Sequence, residues 1–357
     1  MALFDPFSAW CSLPLLLSGH LALWVGIYNR AHAVHWSYLR KLERWIAIPL
    51  FLLSSCLIIP WWYFGSISRG TMLRSSLAAY FGLAMAAQVS ALLIWLYKNY
   101  RQARDRRSLV EDLVTVHDWR DQDHSLLGSD QVRRLGQIRG NEILQLHVHR
   151  KRLVIPHLPA SLEGLTIAHL SDLHFSGRFT QAFYHRVIEL VNQAEPDLVV
   201  VTGDLVDRRE CLAWVGPVFE NLRSPLGKYF ILGNHDRRIG DPAPLRESLA
   251  AAGLQDVGGR WRSGGVEQSP FIIAGDERPW FGSEPIIDDA PENAFRIYLT
   301  HTPDRFSHAA EQQFDLVLAG HTHGGQIRFP LIGAIVCPSL YGVRYSSGVF
   351  SRLRSVM

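Results

Sequence analysis

The chain has 357 residues, of which 48% are hydrophobic and 19% are charged. This composition is too apolar for a disordered protein, and 28 Gly and 18 Pro are too few for a collagen-like or low-complexity chain. The formal net charge of +3 conceals an asymmetry: residues 1–150 carry 16 Lys+Arg and 10 Asp+Glu, net +6, whereas residues 151–357 carry net −3. A mildly acidic second half does not favour binding to nucleic acid. The four cysteines form no CxxC pair, so the spacing does not suit a disulfide scaffold.

Three apolar stretches predict a membrane domain over residues 1–100. Residues 45–64 and 77–97 carry no charge, and each is long enough to cross a hydrocarbon core of about 30 Å as a helix. Residues 11–29 also lack charge, but they include Pro14, Gly19 and His20, so two or three spans are expected. Buried helices of a soluble protein are the alternative, which is disfavoured because such helices seldom run for twenty residues without a polar face.

The charges that flank these stretches predict an orientation. Arg30, Arg40, Lys41 and Arg44 lie between the first two stretches, and a second basic cluster follows Tyr100. Since cytoplasmic loops are enriched in Lys and Arg, we expect the first loop and everything after Tyr100 to face the cytoplasm. Residues 101–142 are mixed in charge and are expected to form a cytoplasmic linker with some helix, ahead of a folded domain over residues 143–357.

Short apolar runs in the second half predict buried strands. The runs lie at residues 165–170, 198–201, 229–232, 271–274, 297–299 and 316–319, and polar or Gly-containing motifs follow them. Helices are predicted between some of them, at residues 181–194 and 244–252. Strands that alternate with helices in this way predict a layered α/β domain, whose site lies outside the carboxyl ends of the strands.

The motifs after these strands contain side chains that bind metals. They are Asp172-x-His174, Gly203-Asp204-x-x-Asp207, Gly233-Asn234-His235-Asp236, His301 and Gly320-His321-x-His323. Each motif alone could be a turn or a helix cap, but their conjunction at successive strand ends indicates a metal site. Oxygen and imidazole ligands without Cys suit Mn²⁺, Fe or Zn²⁺. The ligands are too many for one tetrahedral ion, and two ions about 3.5–4 Å apart can generate a hydroxide nucleophile for displacement at phosphorus.

In this order, the motifs resemble those of the calcineurin-like metallophosphoesterases, over about residues 160–330. The resemblance implies a four-layer α/β/β/α sandwich that uses two divalent metal ions, most readily Mn²⁺, to hydrolyse a phosphodiester, phosphomonoester or pyrophosphate bond. It also implies a ligand set, in which Asp172, His174 and His323 hold one ion, Asp204 bridges, and Asn234, His301 and His321 hold the other. By the same resemblance His235 protonates the leaving oxygen and Asp207 orients its ring, while Asp236 is expected only to cap the turn.

The residues in and around the motifs also resemble those of a bacterial, membrane-anchored subgroup. One member of this subgroup hydrolyses UDP-2,3-diacylglucosamine in lipid A biosynthesis. We therefore expect a multi-pass protein of the bacterial inner membrane that acts in the cytoplasm on a lipid-linked substrate, since tethering raises its effective concentration there. Arg237 and Arg238 directly follow the Asn234-His235-Asp236 turn and are candidates to contact a substrate phosphate. Weaker candidates to line the pocket are Arg178, Phe179, Trp280, Phe281 and Arg344.

Two other classes of function stay open at this point. A metal-dependent nuclease or nucleotide phosphodiesterase is disfavoured by the membrane segments and by the negative charge of residues 151–357. A non-catalytic membrane scaffold is disfavoured by the complete set of ligands.

Overall fold

The computed structural model describes residues 6–33, 48–67, 70–120, 124–266, 269–325, 327–330 and 332–357. Its contacts divide the chain into two units. The first, which we call the helical unit, comprises Met1–Arg104 and Thr322–Gly348. The second, the sandwich unit, comprises Asp105–His321 and Val349–Met357. We predicted boundaries after residues 100 and 142, whereas the contacts divide the chain after residues 104, 321 and 348.

The helical unit contains three helices, α1 (Pro6–Ala33), α2 (Ile48–Ile67) and α3 (Thr71–Asp105). Residues 322–348, which we expected in the folded domain, belong to this unit and contain a short hairpin of strands. The side chain of Asn29 explains this difference, since it donates to the carbonyl of Ile335 at 2.9 Å and accepts from the amide of Cys337 at 3.0 Å. The indole of Trp95 likewise donates to the carbonyl of Ile332 at 3.2 Å.

The structure leaves one candidate membrane span where we predicted two or three. Among the described residues, α3 alone is long and apolar enough to cross a membrane, by length and composition. The apolar part of α2, Pro49–Phe64, is shorter than a span requires, and residues 45–47 lie outside the described residues. α1 contains Pro14 and does not qualify. Multiple spans are therefore not confirmed, and most of the charged first loop also lies outside the described residues.

The expected linker contains regular structure. Residues Leu109–Asp118 form strand β1, and after helix α4 (Asp130–Gly136) this strand pairs antiparallel with β2 (Gln145–Leu153). We expected a linker with some helix, and helix α4 lies within it. Strand β1 was not expected, because its partner strand lies more than 25 residues further along the chain and no local pattern shows the pairing.

Two larger sheets form the body of the sandwich unit. One is parallel, with strands in the order β3, β4, β5, β6, and the other is mixed, in the order β13, β14, β10, β9, β8, β7. The parallel sheet consists of β3 (Ile167–Leu170), β4 (Leu198–Thr202), β5 (Lys228–Ile231) and β6 (Gln255–Asp256). The mixed sheet consists of β7 (Trp261–Val266), β8 (Ser269–Asp276), β9 (Phe295–Thr300), β10 (Leu316–Ala319), β13 (Ser351–Arg352) and β14 (Ser355–Val356). The hairpin of the helical unit supplies β11 (Ile327–Phe329) and β12 (Gly333–Val336).

Among the described residues of the sandwich unit, the hydrophobic core has two parts, one on each face of the parallel sheet. Val200 and Ile231 on one face pack with Ile273 and Ile297 of the mixed sheet, so the two sheets share a core. On the other face, the core includes residues of the helices α5 (Gln181–Gln193), α6 (Val215–Phe219) and α7 (Ala243–Ala251). A further short helix, α8 (Phe306–Glu311), precedes β10. The unit is thus a mixed α/β fold in which two sheets stack and helices cover the parallel one.

Candidate metal centre

The predicted ligands of the sandwich unit follow five strands. Asp172 follows β3, Asp204 follows β4, Asn234 follows β5, His301 follows β9 and His321 follows β10. Several of these turns adopt the left-handed backbone conformation, with φ of 55° at Asp172, 55° at Asp204 and 72° at His321. This conformation is costly for residues other than glycine and clusters at functional sites. The strain at three strand ends indicates that the loops are shaped for a site.

The turns after β4 and β5 are held together by the buried carboxylate of Asp236. It accepts hydrogen bonds from the amides of Asp204 at 2.9 Å, Leu205 at 2.8 Å, Val206 at 3.0 Å and Gly233 at 2.8 Å. Burial, together with the nearby carboxylate of Asp204, raises the pKa of Asp236 to about 7. We expected Asp236 only to cap its own turn, but its contacts reach across to the neighbouring loop.

One group of ligands comprises Asp172, His174 and Asp204, whose ligand atoms lie within 4.8 Å of one another. The Nε2 atom of His174 is 3.9 Å from a carboxylate oxygen of Asp172 and 3.8 Å from one of Asp204. The carboxylate of Asp172 is fixed by the amide of His321, which donates to it at 2.9 Å. Three ligand atoms at these separations suit a single cation between them.

A second group comprises Asp204, His301 and His321. The fully buried ring of His301 donates from Nδ1 to the carbonyl of Thr202 at 2.7 Å, which leaves Nε2 to face Asp204 at 3.2 Å and Asn234 Oδ1 at 3.1 Å. Burial opposes a charge on His301, but the carboxylate of Asp204 outweighs it and raises the pKa of His301 to about 9. A lone pair that faces two oxygen atoms requires a cation or a proton between them, so this group fits a metal ion.

Asp204 belongs to both groups. Its side chain is 1% exposed, and its Oδ1 atom accepts from the amide of His235 at 2.7 Å. Burial opposes its ionisation, but His301 and His235 hold the pKa of Asp204 far below its ordinary value. A permanently ionised carboxylate shared by two groups suits the bridging role that the resemblance implies. The oxygen and imidazole donors of both groups fit divalent metals.

His235 and Asp207 form a separate pair beside these groups. The Nδ1 atom of His235 lies 2.5 Å from Asp207 Oδ1, and Nδ1 of His174 lies 3.1 Å from the same oxygen. Burial opposes ionisation of Asp207, but its hydrogen bonds to His174 and His235 hold its pKa far below the ordinary value. Arg238 donates to Nε2 of His235 at 2.9 Å. Asp207 therefore orients two imidazoles, of which the sequence predicted one.

The other predicted residues lie in different settings. His323 belongs to the segment of the helical unit and has a left-handed backbone, with φ of 48°, and its role as a ligand stays a prediction. Arg237 is exposed, whereas Arg344 stacks over Tyr345 in the helical unit. Trp280 is 7% exposed and packs against His301 and His321, two of the predicted ligands, and its place in the wall of the pocket stays a prediction.

Sequence reasoning missed two roles of the segment that follows β8. The strand predicted at residues 271–274 ends at Asp276, whose buried carboxylate contacts Arg278 and Arg305 at 2.8–2.9 Å and lies outside both ligand groups. Glu277 was not singled out, although it accepts from the amide of Leu232 at 2.7 Å, just before the Asn234-His235 turn. The available signal was the repeated pattern of an apolar run followed by Gly-Asp.

Comparison with known proteins identifies the family of the chain. The family model described as calcineurin-like phosphoesterase matches residues 165–325, which contain the ends of β3, β4, β5, β9 and β10, where the predicted ligands lie. The chain is 32% identical over 207 residues to the uncharacterized metallophosphoesterase YkuE of Bacillus subtilis, covering 56% of this chain and 71% of that protein. The chain belongs to the calcineurin-like phosphoesterase family. As a member, it is a hydrolase that acts on phosphoester bonds, and the cluster described above could hold the divalent metals that this family binds.

Two further relatives are similar over about half of this chain. The phosphodiesterase YaeI of Escherichia coli is 30% identical over 189 residues, covering 51% of this chain and 69% of that protein. A transmembrane protein with a metallophosphoesterase domain from Danio rerio is 31% identical over 193 residues, covering 50% of this chain and 44% of that protein. Each of these matches thus covers about half of this chain.

Proposed function

We propose that the chain is a membrane-anchored phosphoesterase that uses two divalent metal ions, Mn²⁺ in preference to Fe or Zn²⁺, to hydrolyse a lipid-linked phosphodiester or pyrophosphate. The two ligand groups that share Asp204 would hold the ions. Divalent ions at this position supply Lewis-acid stabilisation of the charge on a phosphoryl oxygen. We assign the proton transfer to the leaving oxygen to His235, with Asp207 and Arg238 beside it.

The observation that carries the proposal is the pairing of His235 with Asp207 at 2.5 Å, beside the shared carboxylate of Asp204. Nδ1 of His235 donates a hydrogen bond to Asp207, so Nε2 carries the lone pair, which accepts from Arg238 at 2.9 Å. Guanidinium groups bind phosphate strongly, so a substrate phosphate would draw Arg238 away from Nε2. Nε2 would then take up a proton from water and pass it to the leaving oxygen.

A lipid-linked substrate, such as UDP-2,3-diacylglucosamine, is supported by features outside the site. α3 is long and apolar enough to cross a membrane, and relatives from Danio rerio and Bos taurus are described as transmembrane proteins. The basic residues after Tyr100 favour a cytoplasmic position for the sandwich unit in a bacterial inner membrane. A tethered domain meets phosphate esters in the same leaflet at a raised effective concentration.

The test is a substrate panel with the full chain in detergent and Mn²⁺, comparing UDP-2,3-diacylglucosamine, a phospholipid, an aryl phosphodiester and single-stranded DNA. We expect kcat/KM for a lipid-linked substrate to exceed that for the others by about tenfold or more. His235→Gln should lower kcat by about 10²–10⁴-fold with its metal content unchanged, and His185→Gln on α5 is the matched control. Full activity of His235→Gln would show that the acid is another group, and preferred cleavage of DNA would replace the lipid proposal.

A further inference from the structure

The segment that follows β8 contacts the ligand-bearing loops without providing a ligand. It comprises residues 276–281, Asp-Glu-Arg-Pro-Trp-Phe, and we call it the β8 segment. Trp280 within it is 7% exposed and lies against the rings of His301, at 5.2 Å between centroids, and His321, at 5.1 Å. The two imidazoles are themselves 5.0 Å apart. The three rings therefore form a closed triangle in which each contacts the other two.

We propose that Trp280 is a positioning residue for the metal ion held by Asp204, His301 and His321. The proposal rests on the dinuclear centre proposed above and names the group that fixes the rings of one half of it. His301 is held at both ring nitrogens, since Nδ1 donates to the carbonyl of Thr202 at 2.7 Å and Nε2 faces Asn234 Oδ1 at 3.1 Å. The indole adds a contact with the rings themselves, because its plane lies at 70° to His301 and 55° to His321, and it restrains the rotation of both imidazoles.

The β8 segment is itself anchored on both sides of Trp280. The buried carboxylate of Asp276 accepts from the guanidinium of Arg278 and from Arg305 Nε at 2.8 Å. Next to it, Glu277 accepts from the amide of Leu232 at 2.7 Å and from Arg246 at 2.6 Å. Because Leu232 precedes Asn234 by two residues, the segment fixes both the loop after β5 and the rings of His301 and His321. Side chains that orient metal ligands in this way commonly affect metal affinity by about 10–100-fold.

The first group of ligands provides an internal contrast. His174 is oriented by Asp207 through a hydrogen bond of 3.1 Å, and its ring lies 4.5 Å from that of His235. Trp280 is therefore expected to affect the ion held by Asp204, His301 and His321 and to leave the ion held by Asp172, His174 and Asp204 in place. Loss of one ion out of two distinguishes a positioning role from general destabilisation of the fold.

The test compares the full chain with Trp280→Leu, Trp280→Phe and the control Trp119→Leu. Trp119 is a good match, because it is also buried, 6% exposed, and packs edge-on against Phe183 away from the ligands. Each protein is loaded with Mn²⁺, desalted, and examined for metal content and for the electron paramagnetic resonance spectrum, which separates a spin-coupled pair from an isolated ion. Titration with Mn²⁺ gives the affinity for the second ion.

We expect two coupled ions per chain in the parent and in Trp119→Leu, and one isolated ion in Trp280→Leu, with affinity for the second ion weaker by about 10–100-fold. Trp280→Phe should weaken that affinity by a smaller factor, and it decides the matter if Trp280→Leu does not fold. A coupled pair of parental affinity in the Trp280 variants would overturn the inference alone. A parent that holds a single ion would instead overturn the dinuclear centre, and the inference with it.

Discussion

Apolar runs of similar composition have opposite surroundings in the two units. In the sandwich unit, every residue of β4 from Leu198 to Thr202 is fully buried. In the helical unit, Leu52 and Leu53 of α2 are each 57% exposed, and Leu93 of α3 is 59% exposed. Soluble monomers seldom expose contiguous apolar surface on this scale, so the exposed side chains of the helical unit fit the membrane anchor proposed above. The comparison teaches that an apolar run predicts burial, while its length and neighbours determine what covers it.

The sandwich unit also buries charged side chains. The sandwich unit contains buried carboxylates, Asp204, Asp236, Asp276 and Glu277, each held by hydrogen bonds from amides, imidazoles or guanidinium groups. These groups organise loops at one edge of the sheets. If the difference between the units is functional, loss of the carboxylate that both ligand groups share, Asp204, should abolish activity, whereas a charge introduced into the helical unit should change where the protein resides.

The largest effect is expected from Asp204→Asn. This carboxylate is shared by both ligand groups, so its loss should release metal and lower kcat/KM by at least about 10³-fold. The measurement combines metal content with hydrolysis of an aryl phosphodiester. Asp112→Asn, on strand β1, is the control and should retain both properties. Retention of metal and activity by Asp204→Asn would place the active site elsewhere.

Asp276→Asn should affect stability rather than chemistry. Removal of this buried charge leaves Arg278 and Arg305 without their shared partner, which should lower the free energy of unfolding by about 3–5 kcal/mol. Burial opposes ionisation of Asp276, but hydrogen bonds from Arg278 and Tyr298 hold its pKa below the ordinary value. The stabilisation is therefore present above the unfolded pKa of about 4 and is lost as the pH falls further.

Denaturant unfolding between pH 7 and pH 3 measures this effect. The parent should lose stability as the pH falls below about 4, and Asp276→Asn should lose less over the same interval because its share is already gone. Asp315 is also buried and pairs with Arg354, so Asp315→Asn is a matched variant at the other side of the mixed sheet. If Asp276→Asn loses as much stability as the parent when the pH falls below about 4, the stabilisation does not come from Asp276.

The sequence did not predict these networks of hydrogen bonds and ion pairs around buried carboxylates. Strands at residues 167–170, 198–202 and 316–319 and the ligands after them follow from local patterns, because an apolar run bounded by Gly is short and distinctive. The pairing of β1 with β2 and the four amides around Asp236 depend on contacts between distant segments, which a local pattern does not contain. The same reason explains why the contacts of Asn29 with residues 335 and 337 were not predicted.

An arginine introduced into the apolar surface of α3 tests the difference between the units directly. Leu92 is 54% exposed on α3, and Leu113 is 55% exposed on β1. If α3 lies in hydrocarbon, Leu92→Arg should cost about 2.5–3.5 kcal/mol of insertion free energy and shift protein from the membrane pellet into the soluble fraction after alkaline extraction. Leu113→Arg should leave the distribution unchanged. Equal behaviour of the two variants would remove the support for α3 as a membrane anchor.

The smallest effect is expected from the adjacent arginines after the Asn234-His235 turn. Both are exposed, but Arg238 donates to Nε2 of His235 at 2.9 Å and lies 3.7 Å from Asp207, so it alone contacts the proposed acid. Arg238→Ala should lower kcat/KM by about tenfold, mainly through KM if the guanidinium binds the substrate phosphate. Arg237→Ala should change it by less than about twofold. Because the two side chains carry the same charge on the same turn, equal losses would indicate a general electrostatic effect on an anionic substrate, and a loss confined to Arg237→Ala would assign the phosphate contact to the other arginine.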